Sequence, residues 1–237
     1  RAAEFKRSCR TRMTMEAVRK YKNLEFYIPW SFDYRGRAYP IPAFLTPQDT
    51  DFGKSLLQFA DDAGSEPVEK WLAFQVATTY GLDKSTMEER LEWTRSNHSL
   101  IAAIAGDPIA FMGYWEAAEE PWQFLAACDE YYHCCIHRDR LTTSLPVATD
   151  ATCSGLQILA GLARDKSTAK LVNVVPSDKP QDAYAKVAET ALSLGIPTNI
   201  HSVWDRKCVK RTVMTIPYNA KPFSNRSYIK DALKEKG

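Results

Sequence analysis

Residues 144–161 read "SLPVATDATCSGLQILAG". An apolar run, Leu145 to Ala148, leads to a single acid, Asp150. Five small residues follow, Ala151, Thr152, Cys153, Ser154 and Gly155, before apolar residues return. The pattern predicts a short buried strand over 145–149, a carboxylate at its carboxyl end, and a helix starting near Cys153 or Ser154. A carboxylate taken out of water needs a partner. One candidate is a divalent cation such as Mg²⁺, which takes carboxylate oxygens and keeps room for phosphates and water. The small residues after Asp150 would leave that room. Capping the following helix is the commoner use of such an acid.

A second stretch, "WDRKCVKRTVMTIPYNAKPF" (204–223), carries cations at helical spacing. Arg206 and Lys210 are four apart, on one helix face and separated by about 6 Å of rise. Met214 and Tyr218 continue that face. Two cations with an aromatic group beyond them suit a nucleotide, phosphates on the cations and sugar or base on the ring. Pro217 should end or kink the helix, leaving Tyr218 at the hinge. Asn219 tolerates the left-handed conformation of a helix end. An exposed basic helix face accounts for the same residues equally well.

A third stretch, "FDYRGRAYP" (32–40), places Arg35 and Arg37 around Gly36, with Asp33 and Tyr39 just outside. Strand alternation would set both arginines on one side, suited to phosphodiester oxygens, with Asp33 orienting one of them. A surface ion pair in a turn is the alternative.

The whole chain has ordinary globular composition: 237 residues, 45% hydrophobic, 25% charged, net charge +2. That allows a sizeable core in one or two domains. No apolar run approaches a membrane span, and no signal-peptide pattern opens the chain. The first residue is Arg1, and the chain reads as an excerpt of something longer. Charge is uneven. Residues 1–22 hold eight Lys or Arg against Glu4 and Glu16, and residues 206–237 hold nine against Asp231 and Glu235. Between Asp61 and Glu130 acids outnumber bases fourteen to four. Basic ends around an acidic middle suit a polyanion gripped by the ends. Solvated helix faces explain either end taken alone. The six cysteines show no disulfide framework, which favours a reducing compartment.

Residues 1–22 read as a basic helix, and 26–59 as Pro-rich short strands and loops. Ser65-Glu66-Pro67 starts a helix that Gly81 ends. Ser85-Thr86 with Glu88-Glu89 is a capping box opening a helix toward Gly106. Helical patterns follow over 108–118, 122–136, 180–194, 201–216 and 221–236. The tryptophans Trp71, Trp93, Trp115 and Trp122 are expected in the core. Cys128, His133, Cys134, Cys135 and His137 match no zinc spacing, and the segment reads as helix with its cysteines as buried core thiols. "HRDR" (137–140) lacks the Asn that a kinase catalytic loop carries five residues after its Asp.

In their order, these stretches resemble the single-subunit, bacteriophage-type RNA polymerase family, which includes the mitochondrial enzymes. "DYRGR" is similar to its D-x-x-G-R element and "LPVATDATCSGLQ" to its motif A. "RKCVKRTVMTIPYNA" is similar to its motif B, R-x3-K-R-x-V-M-T-x2-Y-G. "LVNVVPSDKPQDAYAKVA" resembles its L-x-P-x-x-x-Q-D-x-Y segment. The resemblance implies an α+β, mostly helical fold, the partial palm and fingers of a right-hand polymerase with a small sheet. Residues 1–22 would end a thumb-like segment, and 23–60 would begin the palm. Residues 61–140 would be a helical insertion, 141–166 palm with motif A, and 167–237 partial fingers with motif B.

The implied activity is DNA-templated RNA synthesis from ribonucleoside triphosphates. The partners are a DNA template and an RNA transcript; the enzyme is a monomer without a membrane anchor. Asp150 would be one of two aspartates holding two Mg²⁺ ions, with the Ala151 carbonyl as a further ligand where the family often has glycine. Arg206 and Lys210 would contact the triphosphate. Met214, Tyr218 and Gly155 would border the sugar. Arg35, Arg37, Tyr39 and Arg211 would hold nucleic acid. Asn219 replaces the family's usual glycine. Motif C, an H-D-S-type hairpin with the second aspartate, is absent from these residues, so the chain alone is expected to be inactive. The aromatic-rich "FYIPWSFDYRGRAYP" inclines the origin to a phage in an infected bacterial cytoplasm, with the mitochondrial matrix as the alternative. Rival readings are a related DNA polymerase and a non-catalytic nucleic-acid-binding protein. The DNA polymerases usually carry Glu five residues after the motif A aspartate, where this chain has Gly155.

Overall fold

The computed structural model describes residues 2–34, 36–62, 68–149 and 151–236. Helices dominate, with one small sheet, as an α+β chain requires. The chain divides into two compact units, 1–148 and 149–237.

The first unit is built around helices whose apolar faces need cover. It runs through α1 (Ala2–Tyr21), β1 (Trp30–Phe32), β2 (Ala38–Pro40), α2 (Asp51–Ser55), α3 (Val68–Tyr80), α4 (Met87–Ser96), α5 (His98–Gly106), α6 (Met112–Trp115) and α7 (Pro121–Tyr131). A π-helical turn, Tyr132–Ile136, extends α7. Leu72 and Val76 of α3, Ile101 and Ile104 of α5, and Phe124, Cys128 and Tyr131 of α7 meet in one buried cluster. Thr86 caps α4, accepting from Glu89 N–H while the Glu89 carboxylate accepts from Thr86 N–H, so the expected box is present. The expected single helix toward Gly106 is two. Asn97 leaves helical geometry, and its side-chain amide donates to the Trp93 carbonyl, ending α4. The helix start at 65–67 lies outside the described residues. Gly81 follows α3 with φ +132°, a conformation L side chains rarely adopt. Of the tryptophans, Trp115 is buried, whereas Trp71 and Trp122 are each more than a third exposed, against expectation.

Two expectations about strands need correction. β1 and β2 pair antiparallel, Trp30 opposite Pro40 and Phe32 opposite Ala38. Gly36 and Arg37 of the Arg-Gly-Arg element lie between them and not within a strand. Gly36 takes φ +77° there, which suits glycine. Arg35 lies outside the described residues. Residues 145–149 form no strand and are half-buried to exposed. Their described backbone partners are side chains: Leu145 N–H donates to Thr143 Oγ1 and Ala148 N–H to Gln75 Oε1. Strand propensity acts through a ladder of backbone bonds, and the described residues show none along 145–149; the nearest is Phe59 N–H to the Ser144 carbonyl at 2.9 Å.

One buried carboxylate ties α1 to the loop before α2. Asp49, its side chain fully buried, accepts from Arg10 at 2.5 Å, from Thr50 N–H at 2.7 Å and from Leu45 N–H at 3.0 Å. Burial alone would raise its pKa; the Arg10 guanidinium and the two N–H groups outweigh burial and hold it below the usual carboxylate range. A depressed folded-state pKa stabilises the fold above the unfolded value, about 3.9, and that stability is lost as pH falls below it. Asp49→Asn should therefore cost about 2 kcal/mol in denaturant unfolding at neutral pH, and less in acid. An unchanged unfolding midpoint at pH 7 would refute this.

The second unit contains α8 (Ser154–Ala163), α9 (Lys166–Leu171), α10 (Ala183–Ser193), α11 (Arg206–Thr215) and α12 (Pro222–Lys234). Helix α11 packs between α10 and α12. Tyr184 and Ala188 of α10 meet Val209 and Val213 of α11 in one small cluster; Ala160, Ala169, Val172 and Ala183 form another. Cys153 and Leu156 touch both. The helix expected over 201–216 is shorter, because a 3₁₀ turn, Thr198–Val203, precedes α11. No described helix is long and apolar enough to cross a membrane.

Candidate functional site

Helix α11 starts where Asp205 caps it, accepting from Lys207 N–H at 2.8 Å and Cys208 N–H at 3.4 Å. Lys236 pairs with the same carboxylate at 2.6 Å. The helix is amphipathic. Cys208, Val209 and Val213 are buried, while Lys207, Lys210, Arg211 and Met214 are exposed. Pro217 ends it as the sequence requires. The α-helix stops at Thr215, a 3₁₀ turn spans Ile216–Tyr218, and Asn219 follows at φ +62°. Asn219 thus takes the left-handed conformation that a glycine would otherwise supply.

Arg206 is already engaged. Its Nε donates to Asp182 Oδ2 at 2.5 Å, and its guanidinium lies 5.0 Å from the centre of the Tyr184 ring. Asp182 does two jobs, because its other oxygen caps α10 by accepting from Tyr184 and Ala185 N–H. Burial would raise the Asp182 pKa; the Ala185 N–H and Arg206 more than offset this and lower it. Tyr184 is pushed up, first by burial and then by the Cys153 thiol, and stays protonated. Lys210 makes no ion pair among the described residues and points to solvent. Arg211 rests its guanidinium 4.1 Å from the ring centre of Tyr228 on α12.

Gly155, in the first turn of α8, faces the end of α11. A methyl group added there would lie 3.4 Å from Pro217 Cβ and 3.6 Å from the Tyr218 hydroxyl oxygen. Ordinary contact would accommodate alanine; a long side chain would meet the tyrosine hydroxyl. Tyr218 itself is 57% exposed, so its hydroxyl edge borders both glycine and solvent. Cys153, just before α8, has φ +56°, a left-handed conformation costly for a non-glycine residue. Asp150 lies outside the described residues; Ala151 beside it is exposed.

Arg37 is exposed at the hairpin turn. Its N–H donates to Asp33 Oδ1 at 3.0 Å, and the Tyr39 hydroxyl lies 3.5 Å from Asp33 Oδ2. Asp33 therefore closes the turn through backbone and phenol. Farther along the first unit, Cys128 is buried as expected, and burial raises the thiols of Cys134 and Cys135 to about 11 and about 12.

The structure thus brings together Gly155, Pro217 and Tyr218, and lays Lys210 and Met214 along one exposed face. Sequence reading assigned no role to Asp182 and Tyr184, although both lie in the quoted Q-D-x-Y segment. Their signal was the acid two residues before an aromatic at a helix start.

Residues 63–237 match the family pattern described as DNA-dependent RNA polymerase, nearly three-quarters of the chain. The chain belongs to the single-subunit, phage-type DNA-dependent RNA polymerase family. Within that polymerase family, the chain is 35% identical over 223 residues to the mitochondrial DNA-directed RNA polymerase of Neurospora crassa, covering 89% of this chain and 16% of that protein. It is 34% identical over 223 residues to the mitochondrial DNA-directed RNA polymerase of Mus musculus, with 89% and 18% covered. DNA-directed RNA polymerase 1, mitochondrial, of Arabidopsis thaliana is 33% identical over 253 residues, with 97% and 26% covered. The chain spans about a sixth to a quarter of the length of these polymerases.

Proposed function

We propose that this chain forms part of the nucleotide-addition site of a DNA-directed RNA polymerase that uses ribonucleoside triphosphates, a DNA template and a growing RNA. The observation that carries this reading is the approach of Gly155 to Tyr218. The motif A helix and the end of the motif B helix meet where a glycine leaves space beside a phenol. A sugar hydroxyl fits such a place: it finds room over Gly155 and a hydrogen-bonding partner in Tyr218. The motif A glutamate of the rival DNA polymerases would run into the tyrosine hydroxyl here.

In this reading Lys210, solvated and unpaired by any described acid, neutralises the triphosphate, with Arg206 held beside it by Asp182 and Tyr184. Met214 lies one turn beyond Lys210, toward the base and sugar. Arg35, Arg37, Tyr39 and Arg211 would hold the template and transcript. Residues 23–60 and 141–166 belong to a palm and 167–237 to the fingers. Asp150 and the Ala151 carbonyl would hold Mg²⁺. Hard oxygen donors followed by small residues fit that ion, and the second carboxylate would come from outside these residues. Bound there, two ions would acidify the RNA 3′ hydroxyl and steady the leaving pyrophosphate. The relatives are named as mitochondrial or chloroplastic, which favours an organelle over an infected bacterial cytoplasm.

Tyr218→Phe in a polymerase containing this segment should keep ribonucleotide incorporation and lower its preference over deoxyribonucleotides by about tenfold, the equivalent of one hydrogen bond of ~1.4 kcal/mol. Competition between the two nucleotide types on one template measures it. Undiminished sugar preference would sink the reading.

A further inference from the structure

At the end of α7 the sequence clusters thiols and imidazoles, and the structure separates them. Cys128 is buried in the core, and Cys135 packs against it. Cys134 Sγ lies 3.5 Å from the Thr142 carbonyl. The imidazoles of His133 and His137 turn the other way, toward one carboxylate. His133 Nδ1 lies 2.9 Å from Asp139 Oδ1, and His137 Nδ1 lies 3.4 Å from Asp139 Oδ2. One donor atom from each of the three residues falls within 4.8 Å of the other two.

Two backbone features build this arrangement. Residues Tyr132–Ile136 form a π-helical turn, a rare element frequent at functional sites. Arg138 then takes φ +59°, which turns the chain back so that Asp139 N–H donates to the His133 carbonyl at 3.1 Å. A left-handed arginine is costly and persists where surrounding contacts impose it. Nearby cations face elsewhere. Arg138 Nε donates to the Cys135 carbonyl, and Arg140 pairs with Glu130 at 2.8 Å. Asp129 adds a second carboxylate, 3.8 Å from His133 Nε2. The His137 ring stacks on Tyr132, which holds its orientation.

We propose that His133, His137 and Asp139 bind a divalent transition-metal ion of the zinc class. Zinc bonded to imidazole nitrogen and carboxylate oxygen at about 2.0–2.2 Å sets neighbouring ligand atoms about 3.2–3.5 Å apart in a tetrahedron. From one oxygen, Asp139 Oδ2, His133 Nδ1 lies 3.0 Å and His137 Nδ1 3.4 Å, close to that spacing. Two imidazoles and a carboxylate suit Zn²⁺ and its neighbours, whereas Mg²⁺ prefers an all-oxygen shell. Three protein ligands leave the fourth position to water. The ion would fasten the π turn to the loop that follows it, about ten residues before Asp150. This site shares no residue with the proposed nucleotide site and does not rest on the polymerase reading.

Titrating Zn²⁺ into the 237-residue chain in a calorimeter tests it. One ion should bind per chain, with at least about tenfold weaker binding in both His137→Ala and Asp139→Asn. Cys134→Ser should bind as the parent does, and excess Mg²⁺ should not displace the ion. Both ligand side chains are about half exposed, and far-ultraviolet circular dichroism checks that each variant keeps its helices. No binding by the parent, or unchanged affinity in the two ligand variants, would overturn the proposal. So would a loss of binding on Cys134→Ser alone.

Discussion

Asp150→Asn, made in a polymerase containing this segment, should lower ribonucleotide incorporation by at least about 10³-fold while leaving template binding intact. The substitution keeps size and shape but removes the negative charge that a dication needs. Electrostatic groups aimed at developing charge contribute about 3–4 kcal/mol each when a single one is removed. A carboxylate holding the ions themselves should exceed that. Because the change lies in a stretch of small residues, it adds no bulk to any packed surface. A protein that merely binds nucleic acid would be indifferent to it. Single-nucleotide extension of a primed template, run beside a filter-binding measurement of the same variant, separates these outcomes. Full extension by the variant would end the polymerase assignment of this residue.

Lys210→Ala should be the next most damaging change, about 10²-fold in kcat/KM for the incoming nucleotide. Of the three cations in the R-x3-K-R pattern, Lys210 is the one without a described partner. Arg206 is anchored by Asp182 and Tyr184, and Arg211 lies on Tyr228. Lys210 projects from the exposed face of α11 without an acidic partner among the described residues, so its removal breaks no described ion pair and should spare stability. The loss should appear at every nucleotide, since a cation reads phosphate and not base. Lys210→Arg should recover part of it by restoring the charge. If Lys210→Ala instead weakened only salt-sensitive nucleic-acid affinity, with nucleotide use unchanged, the lysine would belong to a backbone track.

Local chemistry was legible in the sequence; distant partnership was not. The Thr86–Glu89 box, the stop at Pro217 and the left-handed Asn219 each depend on residues within a few positions, and all stand in the structure. Asn97 dividing α4 from α5 depends on one side chain choosing a backbone carbonyl over solvent, which spacing does not reveal. Asp182 and Arg206 lie 24 residues apart, so their pairing depends on how α10 and α11 pack. The apolar run 145–149 reads as a strand because strand residues are recognised by composition, while a strand exists only by pairing. The histidines at 133 and 137 were obscured by neighbouring thiols, and only the three-dimensional turn at Arg138 shows that the two groups face apart.

That unpaired run has a consequence for chemistry. Residues 145–149 lead directly into Asp150, yet their described anchors are two side-chain oxygens. A carboxylate at the end of such a run would take its depth from a backbone partner alongside. Sliding such a partner by two residues would carry the carboxylate nearly 7 Å, farther than the span of a magnesium ion and its ligands. A run that carries so little register of its own would not bring a metal site with it when grafted alone.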